Sequence, residues 1–265
     1  MSETIRPLKD AATVLLLRPA EGGGVEVFMQ VRAATMAFAA GAAVFPGGSV
    51  DPSDLAGTEA WDLAVGADFL RTTTGAHPGA LVAAAIRETY EECGVLLAGP
   101  PTGAATEGAA GMHPGDRESL ANHSQGIARL LGGRGLRPSL SGLACVDRWI
   151  TPLGEPRRYD TRFFAAELPP GQEADGLTTE SVRSFWVRPG EALARFSAGE
   201  LALMPPTWAQ LERLGRAADV GRAMLPATTG TTMPTLVREA AEAGRRGRVV
   251  ARFWGTEEYL AAAPS

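Results

Sequence analysis

Arg87-Glu88-Thr89-Tyr90-Glu91-Glu92-Cys93-Gly94-Val95 is the stretch on which the reading of this chain turns. Ala80–Cys93 is alanine-rich and proline-free, and Gly94 follows where a helix-ending glycine belongs, so a helix is predicted. On a helix, Glu88 lies three residues from Glu91 and four from Glu92, so the three carboxylates share one face. Like charges there repel, and nothing in local helix energetics favours crowding them. Taken alone, the string also fits a solvated acidic helix face. Two features favour a built site. Val82, Ile86, Tyr90 and Cys93 supply an opposite face that can be buried. Hard divalent cations such as magnesium would offset the repulsion and keep waters that can meet a substrate phosphate. Arg87 is suited to orient one of the glutamates and limit the repulsion further.

Upstream, Ala11–Arg18 and Val25–Arg32 are apolar and β-branched with Gly22–Gly24 between them, which reads as a hairpin. A turn is favoured over a phosphate loop there, because the glycines precede no helix and no GKS or GKT follows. Val44-Phe45-Pro46-Gly47-Gly48 closes an apolar segment with a sharp turn, and Trp61–Arg71 has a helix-like pattern. Downstream, Gly99–Gly115 is a Gly/Pro/Ala-rich connection and Asp116–Leu131 is predicted helical. Leu143–Ile150, Thr161–Leu168 and Ser181–Arg188 are predicted strands. Pro189–Arg195, Thr207–Leu214 and Thr235–Ala243 are predicted helices, the last with Pro234 just before its start. Strands interspersed with single helices predict a mixed sheet covered by helices.

The glutamate stretch resembles the second half of the Nudix box, G-x5-E-x7-R-E-U-x-E-E-x-G-U with U aliphatic. Arg87, Glu88, Glu91, Glu92, Gly94 and Val95 match, and Thr89 stands at an aliphatic position. Gly48 fits the opening glycine, with Asp54 where the family has glutamate. Residues 55–86 then replace the family's x7, an insertion that costs little chain entropy per added residue in a loop. Phe45-Pro46-Gly47-Gly48, the long insert and the glutamate helix resemble the Nudix subgroup of peroxisomal coenzyme A diphosphatases and their bacterial relatives. The likeness continues through Arg148–Pro152, Arg157–Phe164 and Met204–Thr207, covering most of residues 10–215. A further coenzyme A signature is kept in part: Arg32, Gly41 and Phe45–Gly48 hold its spacing, while Ala37 replaces its second arginine.

The resemblance implies an α/β (α+β) fold, the Nudix α/β/α sandwich with a mixed sheet, an inserted helical segment (about 55–79) and a helical C-terminal extension (216–265) on a domain spanning 8–215. It implies hydrolysis of a diphosphate linkage in a nucleoside-diphosphate-linked small molecule, with coenzyme A or an acyl derivative leading and NADH, ADP-ribose and dinucleoside polyphosphates behind. Mg2+ or Mn2+ is the expected cofactor, held by Glu88, Glu91, Glu92 and the Gly48 carbonyl. Arg87, Glu91 and Glu92 are the expected catalytic set. A glutamate outside the box acts as base or extra ligand in some relatives, and Glu180, six residues before Trp186, occupies a comparable place. Arg32, Phe45, Arg158 and Arg162 form the expected substrate-binding set, since guanidinium suits phosphate bidentately. For each arginine alone, surface pairing with an acid such as Asp160 or Glu155 is the competing account.

Bulk properties agree. At 265 residues with 45% hydrophobic content the chain can bury a full core, and a net charge of −5 argues against a nonspecific nucleic-acid binder. Cys93 and Cys145 make no disulfide framework, the start carries no signal peptide pattern, and no apolar run approaches a bilayer span, so a cytoplasmic compartment is expected. His77, His113 and His123 lack zinc-ligand spacing. No Ser-His-Asp set is evident, and a homodimer is common in the family. Two other classes stay open: a noncatalytic nucleotide-binding Nudix module, and an interaction protein docking through 216–265 with Arg245-Arg246-Gly247-Arg248.

Overall fold

In the computed structural model, which describes residues 7–35, 39–59, 61, 63, 70, 72, 75, 77–101, 112–239 and 248–264, the first apolar runs form β1 (Leu8–Pro19) and β2 (Val25–Arg32). They pair antiparallel with Leu17 opposite Val27 and Pro19 opposite Val25. Gly22, Gly23 and Gly24 between them have φ of 77°, 102° and 78°, a conformation that side chains with a Cβ resist. β3 (Ala42–Val44) and β4 (Gly47–Ser49) follow, then α1 (Gly79–Cys93), β5 (Ala98–Gly99), α2 (Pro114–Ala121), α3 (Ile127–Gly133) and β6 (Arg137–Pro138). The chain continues as β7 (Leu143–Ile150), β8 (Arg158–Glu167), β9 (Ser181–Val187), α4 (Pro189–Ser197), β10 (Ala202–Leu203) and α5 (Pro205–Leu214). It ends with α6 (Val220–Ala223), β11 (Thr231–Thr232), β12 (Thr235–Glu239), β13 (Arg248–Arg252) and α7 (Thr256–Ala262).

The main sheet is mixed, in the order β10-β3-β2-β1-β8-β7-β11, with β4 also on β1 and β9 also on β2. β1 lies at its centre, parallel to β8 from Leu8–Arg158 to Leu17–Glu167. Buried on both faces, β1 reads as a continuous apolar run, and its alternate side chains serve two cores. Ala12, Val14 and Leu16 pack with α1, α2 and α3; Leu15 and Leu17 pack with α4, α5 and α6. This is the expected α/β/α sandwich.

Helix α1 is buried on nearly every side; of its residues only Glu88 and Glu91 are partly open. It stops at Gly94, which takes the left-handed conformation (φ 71°) and donates its N–H to the Tyr90 carbonyl. Thr89, at the motif's aliphatic position, is accommodated because its hydroxyl donates back to the Ala85 carbonyl at 2.7 Å. The inserted residues leave β4 after Ser49 and rejoin at α1, so the two halves of the motif meet despite the insertion. Much of the Trp61–Arg71 helix expected from sequence lies outside the described residues, as do residues 102–111 of the Gly99–Gly115 connection.

Two expectations are corrected. Asp116–Leu131 is not one helix: α2 and α3 are separated at 122–126, where His123 takes φ 57°. Asn122 and Ser124 make the break, the Asn122 carboxamide accepting from the Ser124 N–H and the Ser124 hydroxyl donating to the Ser119 carbonyl. Thr235–Ala243 is not a helix. Thr235–Glu239 is β12, paired antiparallel with β13 from Thr235–Arg252 to Glu239–Arg248, and the Arg252–Glu239 ion pair (2.6 Å) joins the strands. Cross-strand pairing outweighs the local helical pattern here, and residues 240–243 lie outside the described residues. The C-terminal extension is therefore mixed, not helical. It is packed on the same core: Phe253 and Tyr259 meet Trp208 edge to face, at 6.3 and 5.7 Å between ring centroids. Among the described residues no helix is long and apolar enough to cross a membrane.

The Gly47-Gly48 pair divides two kinds of close approach. A Cβ on Gly47 would fall 2.4 Å from the Ala12 carbonyl oxygen and 2.7 Å from Thr13 Cα, both backbone atoms of β1, whereas one on Gly48 would meet the Glu88 carboxylate at 2.2 Å. Gly47→Ala is expected to destabilise the fold by about 1–3 kcal/mol or more, as overpacking does. Gly48→Ala, which only has to displace the end of a side chain, is expected to cost less. Urea denaturation of both variants checks the ranking, and equal losses would count against it.

Candidate active site

The site is assembled by α1, β4, the turn at Pro52–Asp54 and the end of β2. At its base is Arg87, 2% exposed. Its Nε and Nη2 grip the Asp54 carboxylate at 2.9 and 2.8 Å, Nη2 also donates to the Ser49 carbonyl at 3.1 Å, and Nη1 donates to Glu88 Oε1 (2.8 Å) and Glu91 Oε2 (3.3 Å). Every N–H of the guanidinium is thus committed to the protein. Asp54, fully buried, accepts in addition from the Asp51 N–H at 2.8 Å. Asp54 is therefore the anchor of Arg87.

The three glutamates stand around this cation. Glu88 lies against the Cα of Gly48, which explains the glycine there. Glu92 is buried and accepts from the Gly47 N–H at 3.1 Å, while its own carbonyl accepts from Gln30 Nε2 at 3.2 Å. Glu91 is fixed to Arg87 through Oε2, but its Oε1 is buried with no hydrogen-bond partner. Burial pushes the Glu91 carboxyl up to about 7, against the pull of Arg87. Burial does the same to Glu88, also about 7, with Arg87 opposing and Glu91 adding repulsion. Glu92 is raised well above the carboxylate range by burial and by the neighbouring Glu88 and Glu180 charges.

Arg32 and Glu180 close the rim. Arg32 ends β2, and its Nε is buried without a partner; its Nη2 lies 4.0 Å from Glu180 Oε2. The Glu180 side chain is 53% exposed, its carbonyl accepts from the Ala33 N–H at 2.9 Å, and its charge is felt at both Glu91 and Glu92. Among the described residues the acids do not converge as a ready cluster of ligands: Glu88 and Glu91 are turned to Arg87 and Glu92 to the Gly47 N–H. The donor set nevertheless fits a hard divalent cation. It offers carboxylate oxygens, one of them orphaned, on a face whose single buried guanidinium is already neutralised by Asp54.

The structure thus brings together Gly48, Arg87, Glu88, Glu91, Glu92, Arg32 and Glu180. It does not bring Phe45, Arg158 or Arg162 to them as substrate contacts. Phe45 is 3% exposed and belongs to the core on the α4–α5 side, so no face is left for a ligand. Arg158 is buried, its Nε and Nη2 donating to the Thr151 carbonyl and Nε also to that of Pro152. Arg162 is fully buried between Asp160 (2.6 Å) and Asp10 (3.3 Å). Desolvating these guanidiniums is compensated by fixed internal acceptors, which removes them from phosphate binding.

Sequence reasoning missed a clamp at the end of α1. Arg117 of α2 donates from Nε to the Glu91 carbonyl (2.8 Å) and from both Nη atoms to Asp175 (2.8 and 2.9 Å), while Gln172 exchanges hydrogen bonds with the Leu96 backbone (2.8 and 3.0 Å). No linear spacing signals these pairs, whose partners are 26 to 76 residues apart.

Comparison with known proteins agrees with this geometry. Residues 71–214, more than half of the chain, match the family model described as the NUDT19 Nudix domain. A relative from Caenorhabditis elegans is 30% identical over 201 residues, covering 73% of this chain and 57% of its own length. The acyl-coenzyme A diphosphatase NUDT19 of Homo sapiens is 29% identical over 242 residues, covering 77% of this chain and 64% of its own. This chain thus spans about three fifths of the length of these two relatives. The crystal structure of a NUDIX hydrolase from Alicyclobacillus acidocaldarius superposes with a TM-score of 0.68 at 27% identity, over 83% of this chain and 97% of that one. With the split motif reunited around Arg87, and with these matches, the chain belongs to the NUDT19-type family of Nudix domains.

Proposed function

We propose that this chain is a metal-dependent hydrolase that cleaves the diphosphate of coenzyme A or an acyl-coenzyme A, releasing 3′,5′-ADP and a phosphopantetheine product. The observation that carries the catalytic part is the unbalanced charge of the α1 face. Three glutamates, Glu92 buried and Glu88 and Glu91 partly so, stand around one arginine, and Asp54 already neutralises that arginine. The substrate class is supported by the human relative and by Arg32, Gly41 and the Phe45–Gly48 turn.

Nudix hydrolases generally need divalent metal ions; Glu88, Glu91, Glu92 and the Gly48 carbonyl would hold Mg2+ or Mn2+ here. Such an ion, when bound, neutralises the diphosphate and lowers the pKa of a water. Arg87 holds Glu88 and Glu91 in place and has no donor left for substrate. Arg32, with its unpartnered Nε, is the guanidinium suited to a phosphate oxygen. The attacking water forms a bond to one phosphorus as the bridging P–O bond breaks, its electron pair leaving with the other phosphate. The proton released goes to a carboxylate of this set: Glu180 at the rim, or Glu91, whose Oε1 has no hydrogen-bond partner.

Three measurements test this account. Glu91→Gln and Glu92→Gln remove charge but almost no volume, so turnover should fall by roughly two orders of magnitude or more while circular dichroism stays native. Near-normal turnover of both at limiting magnesium would remove the metal assignment.

The second concerns pH. Glu88 and Glu91 have folded-state pKa values of about 7, above their ordinary 4.5. Their contribution to stability is therefore complete below the unfolded value and is lost as pH rises through the folded one. The metal-free chain should lose thermal stability between about pH 5 and 8, and saturating magnesium should restore it at the upper end. A melting temperature that rises across that window in chelator would contradict the burial of these acids.

The third is a substrate panel with mass-spectrometric identification of products. Coenzyme A should be cleaved, and Arg32→Gln should lower kcat/KM by about tenfold or more, the scale of one charge-assisted contact. No cleavage of coenzyme A beside rapid cleavage of ADP-ribose or NADH would move the enzyme to that substrate class.

A further inference from the structure

The catalytic site uses the α1 side of the sheet. On the opposite side, the end of α5, the linker 215–219, α6 and residues 225–228 surround an open cleft of about 390 Å³, a size found for small-molecule sites. Arg213, Arg216 and Arg222 line it, above a wall that includes Ala217, Pro226 and Ala227.

Its positive charge is only partly balanced, three arginines facing two acids in these segments. Among the described residues neither Arg213 nor Arg222 forms an ion pair, and Arg216 has only Glu212 at 3.3 Å on a side chain 78% exposed, where pairing contributes little. The acids of these segments are Glu212 and Asp219, and Asp219 is occupied in capping the Arg222 N–H at 2.8 Å. Arg213 is held rigidly. Its Nε donates to Gln210 Oε1 (3.0 Å) and its Nη1 to the Ala223 carbonyl (2.7 Å), while Gln210 Nε2 donates to Asp147 (2.5 Å). The amide of Gln210 thus stands between Asp147 and Arg213, so the nearby acid positions the guanidinium without pairing with it. That leaves Arg213 Nη2 buried with no hydrogen-bond partner, a state that costs free energy until an acceptor arrives. A preorganised guanidinium, two more arginines and an apolar wall suit a ligand with a multiply charged phosphoryl head and a compact apolar body.

We propose that this cleft binds a small organic phosphate, its phosphoryl oxygens held by Arg213, Arg216 and Arg222 and its body against Ala217, Pro226 and Ala227. The site is separate from the catalytic one, because α5 and α6 pack on the core opposite that of α1. It does not depend on the reaction assigned to the α1 face.

The test is a calorimetric titration of phenyl phosphate into the full chain, in chelator so that the metal site takes no part. Saturable binding is expected, weakened at least tenfold in Arg222→Gln and lost in Arg213→Gln/Arg222→Gln, but unchanged in Arg32→Gln at the catalytic rim. Arg222 makes no side-chain bond among the described residues, so its single substitution tests the site without loosening the fold. Benzyl alcohol, which lacks the phosphoryl group, should not bind. The proposal is overturned by any of these results: no saturable binding to the wild-type chain, binding retained in the double variant, loss in Arg32→Gln, or equal binding of benzyl alcohol.

Discussion

The ion pair between Asp54 and Arg87 holds the candidate active site in register. Both side chains are almost completely buried, and the carboxylate is gripped through two parallel N–H bonds. A buried pair of this kind is weak evidence of stability, yet removing one partner leaves an uncompensated charge and is strongly destabilising. Its greater importance is geometric. Asp54 precedes the inserted segment and Arg87 follows it, so the pair staples the ends of a long excursion to one point. Loop length is tolerated because closure entropy grows slowly and because the closing contact is strong. Aspartate serves where the motif has glutamate because the turn at Pro52–Asp54 packs on α1 and brings its backbone close.

A second buried charge network lies on the same side of the sheet, and the contrast is instructive. Arg162 and Arg148 share Asp160, and Arg162 also reaches Asp10, so two arginines meet two aspartates. Among the described residues that network pairs its charges internally. Around Arg87 the count does not close: Asp54 takes up the cation, and Glu88, Glu91 and Glu92 are left to repel one another. An arrangement left with this excess of negative charge is stabilised by whatever supplies positive charge to it, protons included.

The elements that sequence made legible are those whose patterns are local. The Gly22–Gly24 hairpin, α1 with its Gly94 terminus, and β7 to β9 follow from periodicity and turn chemistry within each segment. The carboxylate face was legible for the same reason, as was its junction with Gly48, since both halves of the motif carry spacing. What escaped depends on partners distant in sequence. Arg158 and Arg162 resemble phosphate ligands until the carbonyls of Thr151 and Pro152 and the carboxylates of Asp10 and Asp160 are placed beside them. Phe45 belongs to a site motif, yet the alternation of the chain turns its ring into the core. Thr235–Glu239 carries a helix-like pattern that its pairing with Arg248–Arg252 overrides, and the break at His123 rests on local side-chain bonds that apolar periodicity does not record.

The clamp at the end of α1 also limits how the site can move. Gln172 is tied to Leu96 and Asp175 to Arg117 and to the Cys93 carbonyl, while beyond them Glu180 is pinned by its carbonyl to Ala33. The loop before β9 is thus a short bridge with both abutments fixed, and its span is tied as well: the Leu177 N–H donates to Asp175 Oδ1, the Thr178 N–H to the Gly176 carbonyl, and the Glu180 N–H to the Thr178 hydroxyl. Glu180 can swing as a side chain but cannot be carried by a travelling loop. A ligand of the candidate site would therefore meet a rim fixed at the Glu180 backbone, whatever its size.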